Sequence, residues 1–507
     1  MSNRFVVAHF ETFQKARVEF VQGLAELAQS PQNIETIKAL GGIPLCRGLL
    51  LDNVPSIQQS AALALGRIAE FSPEMAELVV SNDVLPQLVF SLSEQNRFYK
   101  KAASFVLRAV AKHSAALAQA VVDAGSLEAL IACLEEFDPG VKEAAAWALG
   151  YIARHSAELS QYVIDAGAVP LLVLCVQEPE LALKRISVSA LSDIAKHSAE
   201  LAQAVVDAGA IAYVAPLIQN ADAKLKRQVC SALAQIAKHN VDLAELVVEG
   251  GIFPKALFLL RDPDAVVRRN AATLVREVVK HSPELAQLVV NAGGIAALVE
   301  FTDDTTGAAR LPGIMALGFI SAFSETLARA VITGKGVKPL VDSLDKEPED
   351  HVKAAAAWAL GQLGRHSPTH AKQVADTNVL PKLVDVYLES GASEDLKQKC
   401  KRAAKNIIQK CVHLPALDPL LHMAPLPILA YVVGQYAKVL PSDVEARRTF
   451  VTSGGLQKVQ QLQAEPGSKL QEHIDGVNRC FPDEVVRYYS PNYADTLLEK
   501  IDQYNPN

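Results

Sequence analysis

A sequence pattern that recurs at intervals of about 42 residues constrains this chain more than any other feature. The segment AAWALGYIARHS at positions 145–156 is followed one interval later by a related segment at 187–198, and again at 229–240. A repeat of this length cannot bury its own apolar face, so successive copies must stack on one another. The pattern therefore predicts one array of similar units, although length alone would suggest about three separate domains.

Glycine, or a residue that can replace it in a left-handed backbone conformation, marks one fixed position of the repeat. The positions lie one repeat apart, with a single insertion before the last: Gly41, Asp83, Gly125, Gly167, Gly209, Gly251, Gly293, Lys335 and Asn378. Each predicts a tight turn between two helices. Lys335 fits poorly, and we expect its neighbour Gly334 or Gly336 to form the turn instead.

Three helices are expected in each repeat. Around Gly167, Ser156 is a helix cap for a first helix, residues 168–176 form an apolar second helix, and a long third helix ends near Ala195. In the preceding repeat, Asp138 and Pro139 have the residue types that start a third helix.

Three helices in a repeat of about 42 residues are typical of armadillo repeats, whereas HEAT and TPR repeats have two. We expect an all-α, right-handed armadillo-repeat solenoid with helical caps at both ends. Its parts are an N-terminal helical cap at residues 1–40, about eight or nine repeats at 41–412, and a degenerate repeat with a C-terminal capping region at 413–507.

Composition excludes several classes of function. The net charge of −7 over 507 residues argues against binding to nucleic acid or to a membrane surface. The seven cysteines are scattered without a CxxC pair, which indicates buried core residues in a reducing, cytoplasmic compartment. Neither a signal peptide nor an apolar run of about 20 residues is present. No nucleotide-binding or hydrolase motif occurs, so we expect no enzyme activity, cofactor, metal or small-molecule substrate.

A histidine recurs near the end of the third helix, at His113, His155, His197, His239, His281 and His366. Metal ligands must lie about 2 Å from one ion, so histidines spaced by whole repeats cannot share a metal. We expect a recurring hydrogen bond that closes the third helix.

A cation recurs in the first turn of the third helix, at Lys100, Lys142, Lys184, Lys226, Arg268, Arg310 and Lys353. A cation there opposes the helix dipole at a cost of about 0.3–1 kcal/mol. An acid four residues earlier in five repeats offsets much of that cost. The pattern favours a self-paired capping turn, while a binding role stays open.

The next position contains Lys101, Glu143, Arg185, Arg227, Arg269, Leu311 and Ala354. We name this set the groove column. No acid precedes its three arginines by four residues, and the same helix face carries aromatic residues, among them Trp147, Tyr151 and Trp358. A protein-binding groove for an extended acidic partner is therefore predicted at Lys101, Arg185, Arg227, Arg269, Trp147, Tyr151 and Trp358. A solvated charged stripe without any ligand explains the column equally well.

Several segments resemble the armadillo-repeat proteins of the central apparatus of motile cilia and flagella. They are residues 95–103 (QNRFYKKAA), 137–156, 310–315 (RLPGIM), 414–417 (LPAL) and 486–491 (VRYYSP). The resemblance spans essentially the whole chain. It implies a non-enzymatic scaffold on a microtubule of the axonemal central pair, required for motility and central-pair integrity. The implied partners are tubulin, other central-apparatus proteins and further copies of the chain.

The alternative function is that of a soluble armadillo adaptor, of nuclear-transport or signalling type, that recognises an acidic or extended peptide. Importin-alpha-type proteins carry a ladder of Trp with Asn one turn later. Here Trp occurs only at 147 and 358, followed one turn later by Tyr151 and Gln362, which disfavours recognition of nuclear signals.

Overall fold

The computed structural model describes residues 3–92 and 96–503, and all regular structure in those ranges is helical. By mutual contact the residues group into two compact units, 1–255 and 256–507. Gln95 and the ends of the predicted caps, residues 1–2 and 504–507, lie outside the described residues. The all-α repeat fold is confirmed, whereas the cap boundaries and the number of repeats stay predictions.

The first unit alternates short helices with long ones. Its α-helices are α1 (Asn3–Leu27), α2 (Pro31–Ala39), α3 (Gly42–Leu49), α4 (Pro55–Phe71), α5 (Pro73–Ser81), α6 (Val84–Leu92), α7 (Arg97–Ala111), α8 (Ala115–Asp123), α9 (Ser126–Leu134), α10 (Pro139–Ala153), α11 (Ala157–Asp165), α12 (Ala168–Gln177), α13 (Leu181–Ala195), α14 (Ala199–Asp207), α15 (Ala210–Val214), α16 (Ala223–Ala237) and α17 (Val241–Glu249), with a 3₁₀ helix at Ala215–Gln219. Helices α4, α7, α10, α13 and α16 are third helices, and each packs along the next. Equivalent residues therefore stand on neighbouring helices about 8–10 Å apart.

The second unit has the same alternation. Its α-helices are α18 (Lys255–Phe258, starting at the last residue of the first unit), α19 (Ala265–Val279), α20 (Pro283–Asn291), α21 (Gly294–Asp304), α22 (Leu311–Phe323), α23 (Glu325–Thr333), α24 (Val337–Lys346), α25 (Asp350–Gly364), α26 (Pro368–Ala375), α27 (Val379–Leu388), α28 (Glu394–Ile408), α29 (Asp418–Met423), α30 (Leu426–Val439), α31 (Val444–Thr452), α32 (Gly455–Gln460), α33 (Lys469–Asn478), α34 (Asp483–Tyr488) and α35 (Tyr493–Asp502). Its 3₁₀ helices are Leu259–Arg261, Gly307–Arg310, Leu414–Ala416 and Leu440–Ser442. The long helices α19, α22, α25, α28, α30 and α33 again pack in succession.

The third helix starts where a cap supplies hydrogen bonds to its first turn. The Asp138 carboxylate accepts from the backbone N–H groups of Gly140 and Val141 at 2.9 and 3.1 Å, and Pro139 begins α10. These N–H groups have no partner within the helix, so such a cap contributes about 1 kcal/mol. Ser156 caps α11 through the N–H of Leu159. Both predicted start signals are confirmed, and the bounds of α11, α12 and α13 agree with the three predicted helices.

The turn between the first and second helices has the predicted left-handed backbone. Positive φ angles occur at every position of the glycine series, with values from 52° at Asp83 to 86° at Gly167. Lys335 itself adopts φ 64°, whereas Gly334 and Gly336 have negative φ, so the expectation that a neighbour forms this turn is wrong. The neighbours are glycines for a different reason. A Cβ at 334 would collide with Ile295, and one at 336 would lie 2.6 Å from Val331 Cγ1.

The N-terminal helix is correctly predicted, but its packed face is not the face with the large apolar residues. In α1 the side chains of Phe10, Phe13 and Phe20 are more than half exposed, while Val21 and Ala25 are buried. Helix α1 packs on α4. Its buried residues are smaller than phenylalanine, which permits close approach of the two helices.

Six of the seven cysteines are buried, and all seven are free thiols. Burial raises the pKa of Cys46 and of Cys400 to about 12, which keeps both thiols protonated in the core. The expectation of buried core cysteines is confirmed except at Cys480, which is partly exposed.

No single helix among the described residues is both long and apolar enough to cross a membrane. Four pairs of adjacent helices, each pair bent by 69–84°, reach the required length and composition only when both members are counted together.

Candidate functional site

Four of the seven predicted groove residues line one cleft in the first unit. Trp147 and Tyr151 on α10, Arg185 on α13 and Arg227 on α16 surround a cavity of about 480 Å³. This volume falls in the range of sites that bind ligands. Stacking of three consecutive third helices brings these residues together, although 80 positions separate the first from the last in the chain.

The remaining walls of the cleft differ from one helix to the next. Helix α10 adds Glu143, α13 adds Ala182, Ile186 and Ser189, and α16 adds Lys224 and Gln228. Three cations and one carboxylate therefore face the cavity. We name this set of lining residues the α10–α16 cleft.

Arg185 is paired, although the absence of an acid four residues earlier predicted that it would be unpaired. Its Nε donates to Oδ1 of Asp222 at 2.8 Å, and its Nη2 donates to Oδ2 at 2.5 Å. Asp222 caps α16, the next third helix, through the N–H of Leu225. The hydrogen bonds from Arg185 lower the pKa of Asp222, and the same bonds raise the pKa of Arg185. The prediction of an unpaired arginine is wrong here because the acid comes from the next repeat.

Lys101 repeats this arrangement on α7, outside the cleft. Its Nζ lies 3.1 Å from Oδ1 of Asp138, the cap of α10. Burial alone would raise the pKa of Asp138, but Lys101 and the capped N–H groups outweigh it, so the pKa is lowered. Two cations of the groove column, Lys101 and Arg185, therefore bind the cap acid of the next third helix. Glu143 takes the place of a cation in this column on α10. The cap residue of the next third helix, Glu180 before α13, makes no side-chain cap hydrogen bond.

Trp147 forms part of a cation–aromatic stack. The guanidinium of Arg108 lies 4.2 Å from the Trp147 ring centroid and 4.8 Å from that of Phe105. Arg108 also donates to Glu70 at 3.2 Å. One part of the Trp147 ring is thus fixed by Arg108, while 39% of the residue stays exposed and lines the cleft. Such a stack contributes about 0.5–2 kcal/mol and orients the indole.

Arg269 and Trp358 belong to the second unit, on α19 and α25. Trp358 packs edge-on against Phe319, with ring centroids 5.0 Å apart. It also lies against Gly318, where a Cβ would collide with the indole. Trp358 therefore has packing contacts within its own unit.

Four of the seven cations in the first turn of the third helix pair across repeats and not within their own turn, whereas Lys184 and Arg268 donate to backbone carbonyls just before their own third helix. Lys142 contacts Glu178 at 2.6 Å, Lys353 contacts Glu389 at 3.3 Å, Arg310 contacts Glu347 at 3.0 Å, and Lys100 contacts Glu136. Each acid lies in the next repeat, before its third helix. For these four cations the predicted self-paired turn is wrong. Long side chains reach the neighbouring repeat, and the burial of Lys100 and Arg310 requires a counter-charge there.

The histidine series does close a third helix, but that of the preceding repeat. Nε2 donates to a backbone carbonyl near the end of that helix at 2.7–2.9 Å: His113 to Ala69, His155 to Ala111, His197 to Ala153, His239 to Ala195, and His366 to Ser321. Carbonyls at a helix end have no partner within the helix, so each histidine satisfies one of them. Among the described residues, no three histidine, cysteine or acidic groups are placed to share a metal ion.

The sequence analysis missed three residues that shape the α10–α16 cleft or its contacts. Asp222 was assigned only to its own turn, and Lys224 belongs to no recurring series. Arg108 occupies the repeat position that is glycine at 66 and 150. The same position also holds Ser192, Ala234 and Arg276, so the sequence carries no signal that singles out Arg108.

Known proteins with similar sequence and structure support the repeat fold. The armadillo/beta-catenin-like repeat family matches residues 114–154. The crystal structure of an engineered protein superposes with a TM-score of 0.71 at 26% identity, covering 77% of this chain and 94% of that chain.

Two relatives match over the whole length. Sperm-associated antigen 6 of Mus musculus is 79% identical over 506 residues, which is 100% of both chains. Sperm-associated antigen 6 of Homo sapiens is also 79% identical over 506 residues, covering 100% of this chain and 99% of that protein. The chain is therefore an armadillo-repeat scaffold that belongs to the sperm-associated antigen 6 family.

Proposed function

We propose that the chain is a non-enzymatic protein-binding scaffold of the axonemal central apparatus, bound to microtubules and required for ciliary and flagellar motility and central-pair integrity. The observation that carries the proposal is 79% identity with sperm-associated antigen 6 over the full length. The resemblance of several segments to central-apparatus proteins of motile cilia supports the same proposal. The chain then resides in the cytoskeleton of the cilium or flagellum.

The α10–α16 cleft supports a role in binding acidic segments. Its lining holds three cations, Arg185, Lys224 and Arg227, and one carboxylate, Glu143, within a chain whose net charge is −7. Positive charge remains in excess there although Asp222 neutralises Arg185. The acidic tails of tubulin have the complementary charge and an extended backbone. Other central-apparatus proteins and further copies of the chain are additional partners in this proposal.

Localisation in a motile ciliated cell tests the scaffold role. A fluorescently tagged full-length chain should lie along the axoneme and remain there after detergent extraction of the cytoplasm. Cells lacking the chain should beat abnormally and lose central-pair microtubules. A tagged chain that is nucleus-associated and co-purifies with transport factors would contradict the proposal and support the adaptor function instead.

Microtubule co-sedimentation tests the cleft as the contact site. Charge reversal by Lys224→Glu and Arg227→Glu should lower the affinity for microtubules about tenfold, which corresponds to about 1.4 kcal/mol. Microtubules whose acidic tails have been removed by limited proteolysis should bind the unmodified chain equally weakly. Unchanged co-sedimentation in both experiments would remove the cleft from the proposal and leave other surfaces as the contact.

A further inference from the structure

The α10–α16 cleft has two chemically different ends. At the α10 end are the aromatic rings of Trp147 and Tyr151, and at the α16 end are Lys224, Arg227 and Gln228. Between them α13 supplies Arg185 and the small or apolar side chains of Ala182, Ile186 and Ser189. A uniformly acidic ligand would use only the α16 end. The asymmetry indicates a ligand with one aromatic part and one acidic part.

The helix spacing fixes the distance between those parts. Neighbouring third helices are about 8–10 Å apart, so α10 and α16 are separated by about 16–20 Å across α13. An extended peptide advances about 3.3 Å per residue. An aromatic side chain over α10 and a carboxylate at α16 therefore belong to residues about five or six positions apart.

Arg185, on the middle helix of the cleft, is already bound to an internal carboxylate. Asp222 accepts two hydrogen bonds from Arg185, in the bidentate geometry with which a ligand carboxylate would bind. Glu143 adds a second negative charge that acts on Arg185. An incoming acid must compete with Asp222 for this guanidinium, whereas Lys224 is exposed on the rim.

We propose that the α10–α16 cleft binds an extended peptide segment. One aromatic side chain of the segment lies on Trp147 and Tyr151, and an acidic residue about five or six positions away lies at the exposed Lys224, with Asp222 as an internal competitor for Arg185. This rests on the proposed function, since it specifies the acidic partner of the same cleft. Aromatic pairs contribute about 0.5–1.5 kcal/mol beyond buried area, enough to select for the aromatic residue.

Tryptophan fluorescence of the full-length chain tests this directly. The sequence has two tryptophans, so Trp358→Phe leaves Trp147 as the reporter in the cleft. The probe is a synthetic peptide with one phenylalanine about six residues from a run of glutamates. The controls are a peptide of the same composition with the phenylalanine beside the glutamates, and one with glutamine in place of each glutamate.

The spaced peptide should change Trp147 emission and bind about tenfold more tightly than either control peptide. Lys224→Glu should lower this affinity about tenfold, whereas Lys15→Glu on the exposed face of α1 is the matched control and should not change it. Asp222→Asn should raise the affinity several-fold, because asparagine preserves the helix cap and removes the competing charge. Thermal unfolding of each variant confirms that it is folded.

Equal affinity for the spaced and contiguous peptides would overturn the inference, as would binding without a change in Trp147 emission. The peptide comparison needs no substitution at the α16 end, so a misfolded variant cannot produce that result. Spaced-peptide binding by a chain that fails to associate with axonemes would contradict only the proposed function. Axonemal binding with no preference between the peptides would contradict only the two-part ligand.

Discussion

The left-handed turn residue is where a single side chain most directly affects the backbone. Eight of the nine predicted positions hold Gly, Asp or Asn, and all nine have positive φ. Lys335 is the exception in residue type: its φ is 64°, a left-handed conformation that is unfavourable for lysine. Asn378 has the same role in the following repeat with φ 58°. Asparagine tolerates the left-handed region better than lysine does.

Lys335→Asn is therefore expected to stabilise the protein by about 0.5–1 kcal/mol. The measurement is the midpoint of urea unfolding, compared at equal slope of the transition. The gain should arise from relief of backbone strain alone, since residue 335 lies in a turn between α23 and α24.

Gly293 provides the opposite change for comparison. Its φ is 85° and a Cβ would meet no atom within 4 Å, so Gly293→Ala should destabilise by about 1–2 kcal/mol through backbone strain. Gly391→Ala also meets no atom, but at an ordinary φ, and should be neutral or slightly stabilising. Similar effects of the two alanine substitutions would contradict the strain argument.

His197 and His366 connect stability to pH. Burial lowers the pKa of both below 6.5, which outweighs the opposing effect of the hydrogen bonds to Ala153 and Ser321. The unfolded chain then binds protons before the folded chain does. Stability should be full above about pH 6.5 and should fall as the pH decreases from there through the lower folded pKa.

The test compares His197→Gln with the unmodified chain. Glutamine retains an N–H donor for the Ala153 carbonyl but does not titrate, so the thermal midpoint should depend less on pH between about 6.5 and 5. His351→Gln is the control, because His351 is an exposed residue and makes no backbone hydrogen bond of this series. The same pH dependence in all three proteins would exclude His197 as a contributor.

At the scale of helices, neighbouring repeats are joined by ion pairs whose members belong to successive repeats. Arg310 and Glu347 form the most buried of those described above, with side chains 8% and 6% exposed and 3.0 Å between Nη1 and Oε1. Glu347 also accepts from the N–H of Gly307 at 2.9 Å. One carboxylate therefore holds both the arginine and the start of the Gly307–Arg310 3₁₀ helix.

Glu347→Gln should destabilise the protein by about 3 kcal/mol, since it leaves a buried guanidinium without a counter-charge. Glu35→Gln is the matched control, because Glu35 pairs with Lys38 where both side chains are well exposed, and it should cost less than about 1 kcal/mol. Urea unfolding of both variants measures the difference. Equal costs would show that burial does not strengthen the inter-repeat pair.

At the scale of the whole molecule, net charge and local charge have opposite signs at the cleft. An acidic partner is repelled by the chain as a whole, with 49 basic and 56 acidic residues, but attracted by the cations of the α10–α16 cleft. Because salt screens charge, the cleft cations attract an acidic partner only within about 8–10 Å at moderate salt.

Binding of polyglutamate to the full-length chain should therefore weaken as salt rises from about 0.05 M to about 0.5 M. A Lys224→Gln, Arg227→Gln variant should bind weakly at low salt and depend less on salt. Fluorescence anisotropy of labelled polyglutamate measures both. A variant with the salt dependence of the unmodified chain would place the acidic contact elsewhere.

Features that depend on nearby residues were predictable from the sequence. Turn positions, the Asp138 and Ser156 caps, and the bounds of α11 to α13 follow from interactions between close neighbours in the chain, which a sequence displays directly. The repeat period also showed that equivalent third helices must be neighbours. Four predicted groove residues consequently meet at one cleft.

Contacts between repeats were decided by the tertiary structure alone. Arg185 pairs with Asp222, Lys142 with Glu178, and His197 with the Ala153 carbonyl, each across about one whole repeat. The period shows which helices are adjacent but not which side chains of the two helices reach each other, because that depends on stagger, side-chain length and burial. By itself the sequence determined the repeat, its helices and its turns. Packing of successive repeats decided which side chains of neighbouring repeats pair with each other.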